Sequence, residues 1–269
     1  MSNSIDLFNL TNRTAVITGG GGSLGRAISL GLSQAGARVI VIDTNLESAT
    51  RVANEVNAQG GHGHAFGADL STEAVVESIF SQIDEISPVN ILINAISAPV
   101  NRYPPEEFPV EEWNATIAAD LTSFFLTSRA AAQRMIKAGN GGSIINFGSI
   151  AGVTALGRGS LAYGAAKGGV IQMTRDCSFA WAEHNIRVNS ILPCQFINQG
   201  WTNFMNDPAH AKLVSRVKSG IPMGRLGDPG EMVGPVLFLA SDAASMVTGI
   251  ALPVDGGNLA MNPGGSLDW

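Results

Sequence analysis

The chain has 269 residues, of which 45% are hydrophobic and 14% are charged, and its formal net charge is −6. This composition predicts a large buried core and excludes a disordered chain, which needs low hydrophobicity and high charge. The acidic balance, without any run of Lys or Arg, disfavours a nucleic-acid partner or an anionic membrane surface.

Short apolar runs rich in β-branched residues alternate with longer helical patterns along the chain. The runs predict seven strands, at residues 15–18, 38–42, 64–67, 90–94, 143–147, 187–191 and 250–254. The helical patterns fall at residues 24–35, 46–59, 72–86, 110–138, 162–183 and 230–240. This alternation predicts an α/β fold, in which helices cover both faces of a doubly wound, seven-stranded parallel sheet. We find no linker, so residues 1–269 are expected to form a single domain.

The compartment and several partners follow from simple features. The two cysteines, Cys177 and Cys194, have no metal-ligand neighbours, which favours reduced thiols in a cytoplasmic protein. The first residues lack the layout of a signal peptide, and no apolar stretch reaches the roughly 20 residues that span a bilayer, so no membrane partner is expected. His62 and His64 have no evident third ligand, and no metal site is predicted.

A glycine-rich turn links the first predicted strand to the first predicted helix. Residues 18–25 read TGGGGSLG. Glycines allow a sharp turn and a close approach to a pyrophosphate, while the helix N-terminus offers free N–H groups to the phosphates. A dinucleotide site is therefore predicted here, formed by Gly19, Gly21, Gly22, Ser23, Leu24 and Gly25.

Asp43 ends the second predicted strand, near the offset expected for the acid that binds the adenosine ribose. Two ribose hydroxyls can donate to its carboxylate, whereas a 2′-phosphate would be repelled. No Arg or Lys follows directly, so the sequence favours NAD over NADP.

Ser149, Tyr163 and Lys167 form the candidate catalytic group. Tyr163 and Lys167 are four residues apart and share one face of a predicted helix, and Ser149 follows a predicted strand. An ammonium beside a phenol lowers its pKa from about 10, so that Tyr163 can exchange a proton with a substrate oxygen. A serine hydroxyl can hydrogen-bond the same oxygen.

With these motifs the chain resembles the short-chain dehydrogenase/reductase family from about residue 7 to residue 258, and within it most resembles gluconate 5-dehydrogenase-like and polyol dehydrogenases. The resemblance implies a Rossmann fold and NAD-dependent hydride transfer between the cofactor and an alcohol/carbonyl pair. It assigns catalysis to Ser149, Tyr163 and Lys167, with Lys167 and Tyr163 also contacting the cofactor. The further cofactor residues that it implies are Asp69, Leu70, Asn94, Ala95, Pro193 and Phe196.

The chain departs from the family pattern at several positions, of which Asp120 matters most. It stands where the family has a catalytic Asn that holds a water between the lysine and solvent. An Asp can still accept a hydrogen bond from that water, but its charge would partly undo the lowering of the Tyr163 pKa. Two alternatives remain open: the substitution has almost no effect on the reaction, or the chain is impaired in catalysis. The other departures are Ser23, the segment Asn94–Ser97, Cys194 and Asn198.

The resemblance also carries expectations about substrate and assembly. A sugar, polyol or sugar acid is the leading substrate, and reduction of a 3-oxoacyl thioester and a cofactor-binding protein without turnover are the alternatives. Residues 195–220 match neither a strand nor a sheet-packing helix and are predicted to form a substrate lid. A homotetramer is expected, with a dimer as the alternative, through the helices at 110–138 and 162–183. The candidate substrate residues are Ser149, Tyr163, Arg102, Arg158, Gln195 and Trp201.

Overall fold

The structure, a computed structural model, describes residues 5–261 and contains one seven-stranded parallel sheet. Its strands lie in the order β3-β2-β1-β4-β5-β6-β7. The predicted fold class is therefore confirmed, and each predicted strand is found within two residues of its expected bounds. The strands are β1 (Thr14–Thr18), β2 (Arg38–Asp43), β3 (His62–Gly67), β4 (Ile91–Asn94), β5 (Gly142–Phe147), β6 (Ile186–Pro193) and β7 (Ala251–Val254).

Two hydrophobic layers hold the sheet between its helices. Because side chains alternate along a strand, Ala15 and Ile17 of β1 enter one layer while Val16 enters the other. The first layer takes the apolar faces of α1, α2 and α9, and the second takes those of α3, α5 and part of α6. The α-helices are α1 (Ser23–Gln34), α2 (Leu46–Ala58), α3 (Glu73–Asp84), α4 (Val110–Ile117), α5 (Ser123–Ala138), α6 (Leu161–Trp181), α7 (Gln199–Asn206), α8 (Ala211–Ser219) and α9 (Val233–Ala240).

The helix predicted at residues 110–138 is not continuous. A π-helical turn, Ala118–Thr122, separates α4 from α5. A π turn adds one residue to a helical turn, and such turns are frequent at functional sites. Its insertion rotates the following residues about the axis, and the turn contains the buried side chain of Asp120.

Residues 195–220, which the sequence predicted to match neither a strand nor a sheet-packing helix, contain α7 and α8. These helices bury little of their surface: α7 has no buried residue, and α8 buries only Val217. Without a broad apolar face against the sheet, neither helix produces the long periodic pattern from which the other helices were predicted. No helix within residues 5–261 is both long and apolar enough to cross a membrane.

The strand order reverses between β1 and β4. Chain connections leave these two neighbours in opposite directions, which opens a crevice at the carboxyl ends of the strands. The loops that follow β1, β2, β4, β5 and β6 all contribute residues to this crevice.

Candidate active site

A cavity of about 670 Å³ lies at the carboxyl ends of the strands and crosses the point where the strand order reverses. Most of the predicted site residues line it, although they come from segments distant in sequence. Among them are Gly19, Gly22, Ser23, Leu24, Gly25, Asp43, Asp69, Leu70, Ala95, Arg102, Ser149, Arg158, Tyr163, Lys167, Pro193, Gln195, Phe196 and Trp201.

The glycine-rich turn forms one wall and begins α1. No side chain caps the N-terminus of α1 at Gly22, so its first N–H groups face the cavity without a capping acceptor. A Cβ atom at Gly25 would collide with the Gly19 carbonyl oxygen and lie 2.6 Å from the Gly20 Cα atom. The turn thus closes tightly against the helix, which produces the anion-binding geometry that a pyrophosphate requires.

Asp43 lies beside this turn at the end of β2. One carboxylate oxygen accepts a hydrogen bond from the Gly21 N–H at 3.0 Å, and the other accepts one from the Asn45 N–H at 3.0 Å. A carboxylate has about four acceptor positions, so two of them remain for the hydroxyls of a ribose. Gly21 itself is not among the cavity-lining residues and acts here through its N–H.

Ser149, Tyr163 and Lys167 converge at the other half of the cavity. Ser149 caps the short 3-10 helix Ile150–Gly152, where its Oγ atom accepts from the Ala151 N–H at 3.1 Å. Tyr163 and Lys167 lie on the first two turns of α6, and the Lys167 Nζ atom is 5.7 Å from the Tyr163 ring centroid. The Nζ atom also donates to the Ile96 carbonyl oxygen at 3.2 Å. A fixed cation therefore lies beside the phenol.

The pKa values in this group reflect its burial. Burial raises the pKa of Tyr163, a hydrogen bond with Ser149 lowers it, and the charge of Asp120 raises it. Burial also lowers the pKa of Lys167, whereas Asp120 opposes that change. Both the phenol and the ammonium are therefore shifted toward their neutral forms. For Tyr163 this direction is opposite to the lowered pKa that the sequence predicted, because burial disfavours the charged phenolate.

Asp120 lies behind the cavity wall and is completely buried. Its Oδ1 atom accepts from the Ala98 N–H at 2.9 Å and lies 3.8 Å from the Lys167 Nζ atom, while its Oδ2 atom has no hydrogen-bond partner. Burial raises the pKa of Asp120, and Lys167 and the Ala98 N–H partly oppose that rise.

Asn94 is the predicted cofactor residue whose side chain the structure places outside the cavity. Its amide donates to Ser128 and Asn146 and its carbonyl accepts from Thr127, in a fully buried network. The wall at this point is formed by the next residues, Ala95 and Ile96.

The substrate end of the cavity is formed by loops. Arg102 follows β4, Arg158 precedes α6, and Trp201 and Phe204 belong to α7 within the predicted lid. Trp201 and Phe204 pack edge to face, with ring centroids 5.8 Å apart. Sequence reasoning missed several lining residues that carry no distinctive chemistry. Only their position within four residues after a strand could have indicated them: Thr44, Ala68, Ile96, Gly148 and Ile197.

A doubly wound sheet, with a glycine-rich turn and a Ser–Tyr–Lys group that line one cavity, is typical of oxidoreductases that use a nicotinamide cofactor and act on alcohols. The family model described as enoyl-(acyl carrier protein) reductase, one of the short-chain dehydrogenase/reductase models, matches residues 20–258. The chain belongs to the short-chain dehydrogenase/reductase family.

Similar proteins act on polyols and sugar acids. The chain is 34% identical to D-threitol dehydrogenase of Mycolicibacterium smegmatis, over 94% of this chain and 96% of that one. It is also 34% identical to an NAD-dependent glycerol dehydrogenase of Listeria innocua, over 93% of this chain and 95% of that one. Among solved structures, gluconate 5-dehydrogenase of Burkholderia cenocepacia, in complex with NADP and tartrate, has a TM-score of 0.89 and 30% identity and covers 97% of this chain and 100% of its own.

Proposed function

We propose that the protein is an NAD-dependent dehydrogenase that oxidises a secondary alcohol of a sugar, polyol or sugar acid, or reduces the corresponding ketone. The observation that carries the proposal is the convergence of Ser149, Tyr163 and Lys167 on the cavity that also contains the glycine-rich turn and Asp43. A cofactor held by the turn and a substrate held by Ser149 would lie side by side in this cavity.

In oxidation, Tyr163 takes the proton of the substrate hydroxyl as the carbon loses a hydride. Ser149 holds the same substrate oxygen through its hydroxyl and so fixes the carbon toward the cofactor. Lys167 stabilises the phenolate of Tyr163 and is itself held by the Ile96 carbonyl oxygen. When bound beside these residues, the nicotinamide would supply the acceptor for the hydride, which balances the two-electron oxidation of the alcohol. The proton of the hydroxyl leaves through Tyr163.

Asp43 supports NAD rather than NADP. The carboxylate lies against the glycine-rich turn, where the adenosine ribose of a bound dinucleotide would meet it. The cations among the lining residues are Arg102, Arg158 and Lys167, which belong to the substrate half of the cavity, so no cation at the adenosine end offsets a 2′-phosphate. The Listeria relative is described as NAD-dependent, whereas the Burkholderia structure contains NADP.

The same observations weigh against the alternatives. Reduction of a 3-oxoacyl thioester commonly uses NADPH and a basic surface for its carrier protein, and Asp43 and the net charge of −6 favour neither. A cofactor-binding protein without turnover would have no need for Ser149, Tyr163 and Lys167 to meet at the cavity.

Residues 195–220 would act as the lid over the substrate, and the active form would be a homotetramer or a dimer.

The test is cofactor reduction by the purified protein with NAD or NADP and a panel of polyols, sugars and sugar acids. Tyr163→Phe should retain NAD binding and lose at least about 100-fold in turnover, because the ring stays and the proton carrier is removed. Tyr103→Phe is the matched control, since Tyr103 packs on Phe108 and is not among the cavity-lining residues. Near-native turnover of Tyr163→Phe would refute the proposed mechanism.

A further inference from the structure

Two arginines from different loops meet at the substrate end of the cavity. Arg102 and Arg158 both line the cavity. The next residue after each of them, Tyr103 and Gly159, connects the two loops. The Tyr103 N–H donates to the Gly159 carbonyl oxygen at 3.1 Å. Gly159 has a φ of +68°, and a Cβ atom there would lie 2.9 Å from the Tyr103 carbonyl oxygen, so only glycine permits this approach. The backbone therefore holds the two arginine-bearing loops against each other.

Neither guanidinium has a carboxylate partner within residues 5–261. Five other arginines do form ion pairs with Asp or Glu: Arg13, Arg26, Arg129, Arg134 and Arg225. Arg102 and Arg158 form neither an ion pair nor a side-chain hydrogen bond within the same residues. Arg158 is half-buried, so its charge is partly removed from water without compensation.

The surroundings add more positive charge to this pair. Burial lowers the pKa of Arg158, and the neighbouring charges of Arg102 and of Arg216 on α8 lower it further. The carboxylates among the described lining residues are Asp43, which ends β2, and Asp69, which follows β3, both at the adenosine end. The cavity is therefore acidic at its cofactor end and basic at its substrate end.

We propose that Arg102 and Arg158 form an oxyanion subsite, and that the substrate is a polyhydroxylated compound with an anionic end, a carboxylate or a phosphate. The inference rests on the proposed function, since it narrows the substrate class of the same cavity. An oxyanion placed between two guanidiniums receives paired N–H donors and removes the repulsion between them. The anion so held leaves the hydroxylated part of the molecule to reach Ser149 and Tyr163.

Three six-carbon probes separate the possible ligands: D-gluconate, D-glucitol 6-phosphate and neutral D-glucitol. Their binding is measured calorimetrically on the Tyr163→Phe protein saturated with NAD, which requires no turnover. We expect at least one anionic probe to bind about 10-fold or more tightly than D-glucitol, and its affinity to fall as salt increases. Preference for gluconate assigns the subsite to a carboxylate, and preference for the phosphate ester assigns it to a phosphate.

The arginine variants then test the residues. Arg158→Gln and Arg102→Gln should each weaken binding of the anionic probe about 10-fold or more and leave the affinity for D-glucitol unchanged. Arg158→Lys should retain part of the affinity for the anionic probe. Arg51→Gln is the matched control, because Arg51 is an exposed arginine on α2 without an ion pair in the described chain and is not among the lining residues. In the otherwise native enzyme, the same variants should raise KM for the anionic probe with little change in kcat.

The outcomes separate this inference from the proposed function. If D-glucitol binds as tightly as both anionic probes, or if Arg158→Gln does not weaken an anionic probe, the oxyanion subsite is refuted even when turnover is observed. If anions bind through Arg102 and Arg158 but no alcohol in the panel is oxidised, the subsite stands and the proposed dehydrogenase activity fails.

Discussion

The Oδ1 atom of Asp120 lies 3.8 Å from the Nζ atom of Lys167, and both side chains are buried. The π turn between α4 and α5 brings the carboxylate to this position. The lysine in turn lies beside the Tyr163 ring. The charge of Asp120 therefore acts on two groups at once, because it favours the ammonium of Lys167 and disfavours the phenolate of Tyr163.

Replacement of Asp120 by Asn should move the pH–rate profile of oxidation to lower pH. Oxidation requires deprotonated Tyr163, whose pKa Asp120 raises, so the rise in rate should occur at lower pH in the variant. Lys167 loses the charge that raises its pKa, so any decline caused by its deprotonation should also begin at lower pH. Steady-state rates from about pH 6 to about pH 11 measure both limbs, since this range spans the ordinary pKa values of Tyr and Lys.

Glu111→Gln on α4 is the control, since it removes an exposed carboxylate from the neighbouring helix. An unchanged profile in Asp120→Asn would mean that Asp120 is protonated in the native enzyme, as its burial favours. A shift to higher pH would contradict the assigned electrostatics.

Asp43→Asn should reduce the preference for NAD over NADP by about 10-fold or more. The amide oxygen can still accept from the Gly21 N–H, which retains the contact with the turn, while the hydrogen bond from the Asn45 N–H and the charge that repels a 2′-phosphate are removed. The ratio of kcat/KM values with the two cofactors measures the preference. Glu47→Gln, a carboxylate on the first turn of α2, should leave the ratio unchanged. A higher kcat/KM with NADP than with NAD in the native enzyme would show that Asp43 does not select the cofactor.

The strands and the cofactor half of the site were the parts that local sequence could predict. The buried strands are continuous β-branched runs, and the glycine-rich turn, Asp43 and the Tyr163–Lys167 spacing are each contained in a short segment. The π turn at Asp120 was missed because one additional residue hardly disturbs the apolar pattern of a long helix. Arg102 and Arg158 were each predicted as substrate residues, but their proximity was not predictable, since the backbone contact between Tyr103 and Gly159 joins loops far apart in sequence. Tertiary contacts, and not local propensity, determine these features.

Gly25→Ala should weaken both the fold and NAD binding. The added methyl group would collide with the Gly19 carbonyl oxygen, so the turn must move away from α1. Overpacking of this kind costs about 1–3 kcal/mol, which lowers Tm by several degrees in a chain of this size. Calorimetric binding of NAD should weaken about 10-fold or more, because the displaced turn no longer presents its N–H groups to the phosphates.

Gly234→Ala on α9 is the matched control for this glycine. Outside its chain neighbours, a Cβ atom at Gly234 meets no atom within 4 Å, so the substitution should leave NAD binding unchanged. The change in Tm should be small, because helix propensity favours Ala whereas the following Pro235 disfavours a side chain in the helical conformation. Equal Tm and NAD affinity in Gly25→Ala and the native protein would contradict the close approach at the turn.

Large apolar side chains remain exposed on α5 and α6, and we expect a homotetramer that covers them, with a dimer as the alternative. Phe179 on α6 is 90% exposed, and Phe125 on α5 is 46% exposed. Exposed apolar patches of this kind mark interfaces between chains. Phe179→Glu would place a charge in such an interface, so light scattering at micromolar concentration should show a smaller assembly than the native protein forms. Leu46→Glu on α2, away from these helices, should leave the assembly unchanged. A native monomer would refute the expectation, and an unchanged assembly in Phe179→Glu would place the interface on another surface.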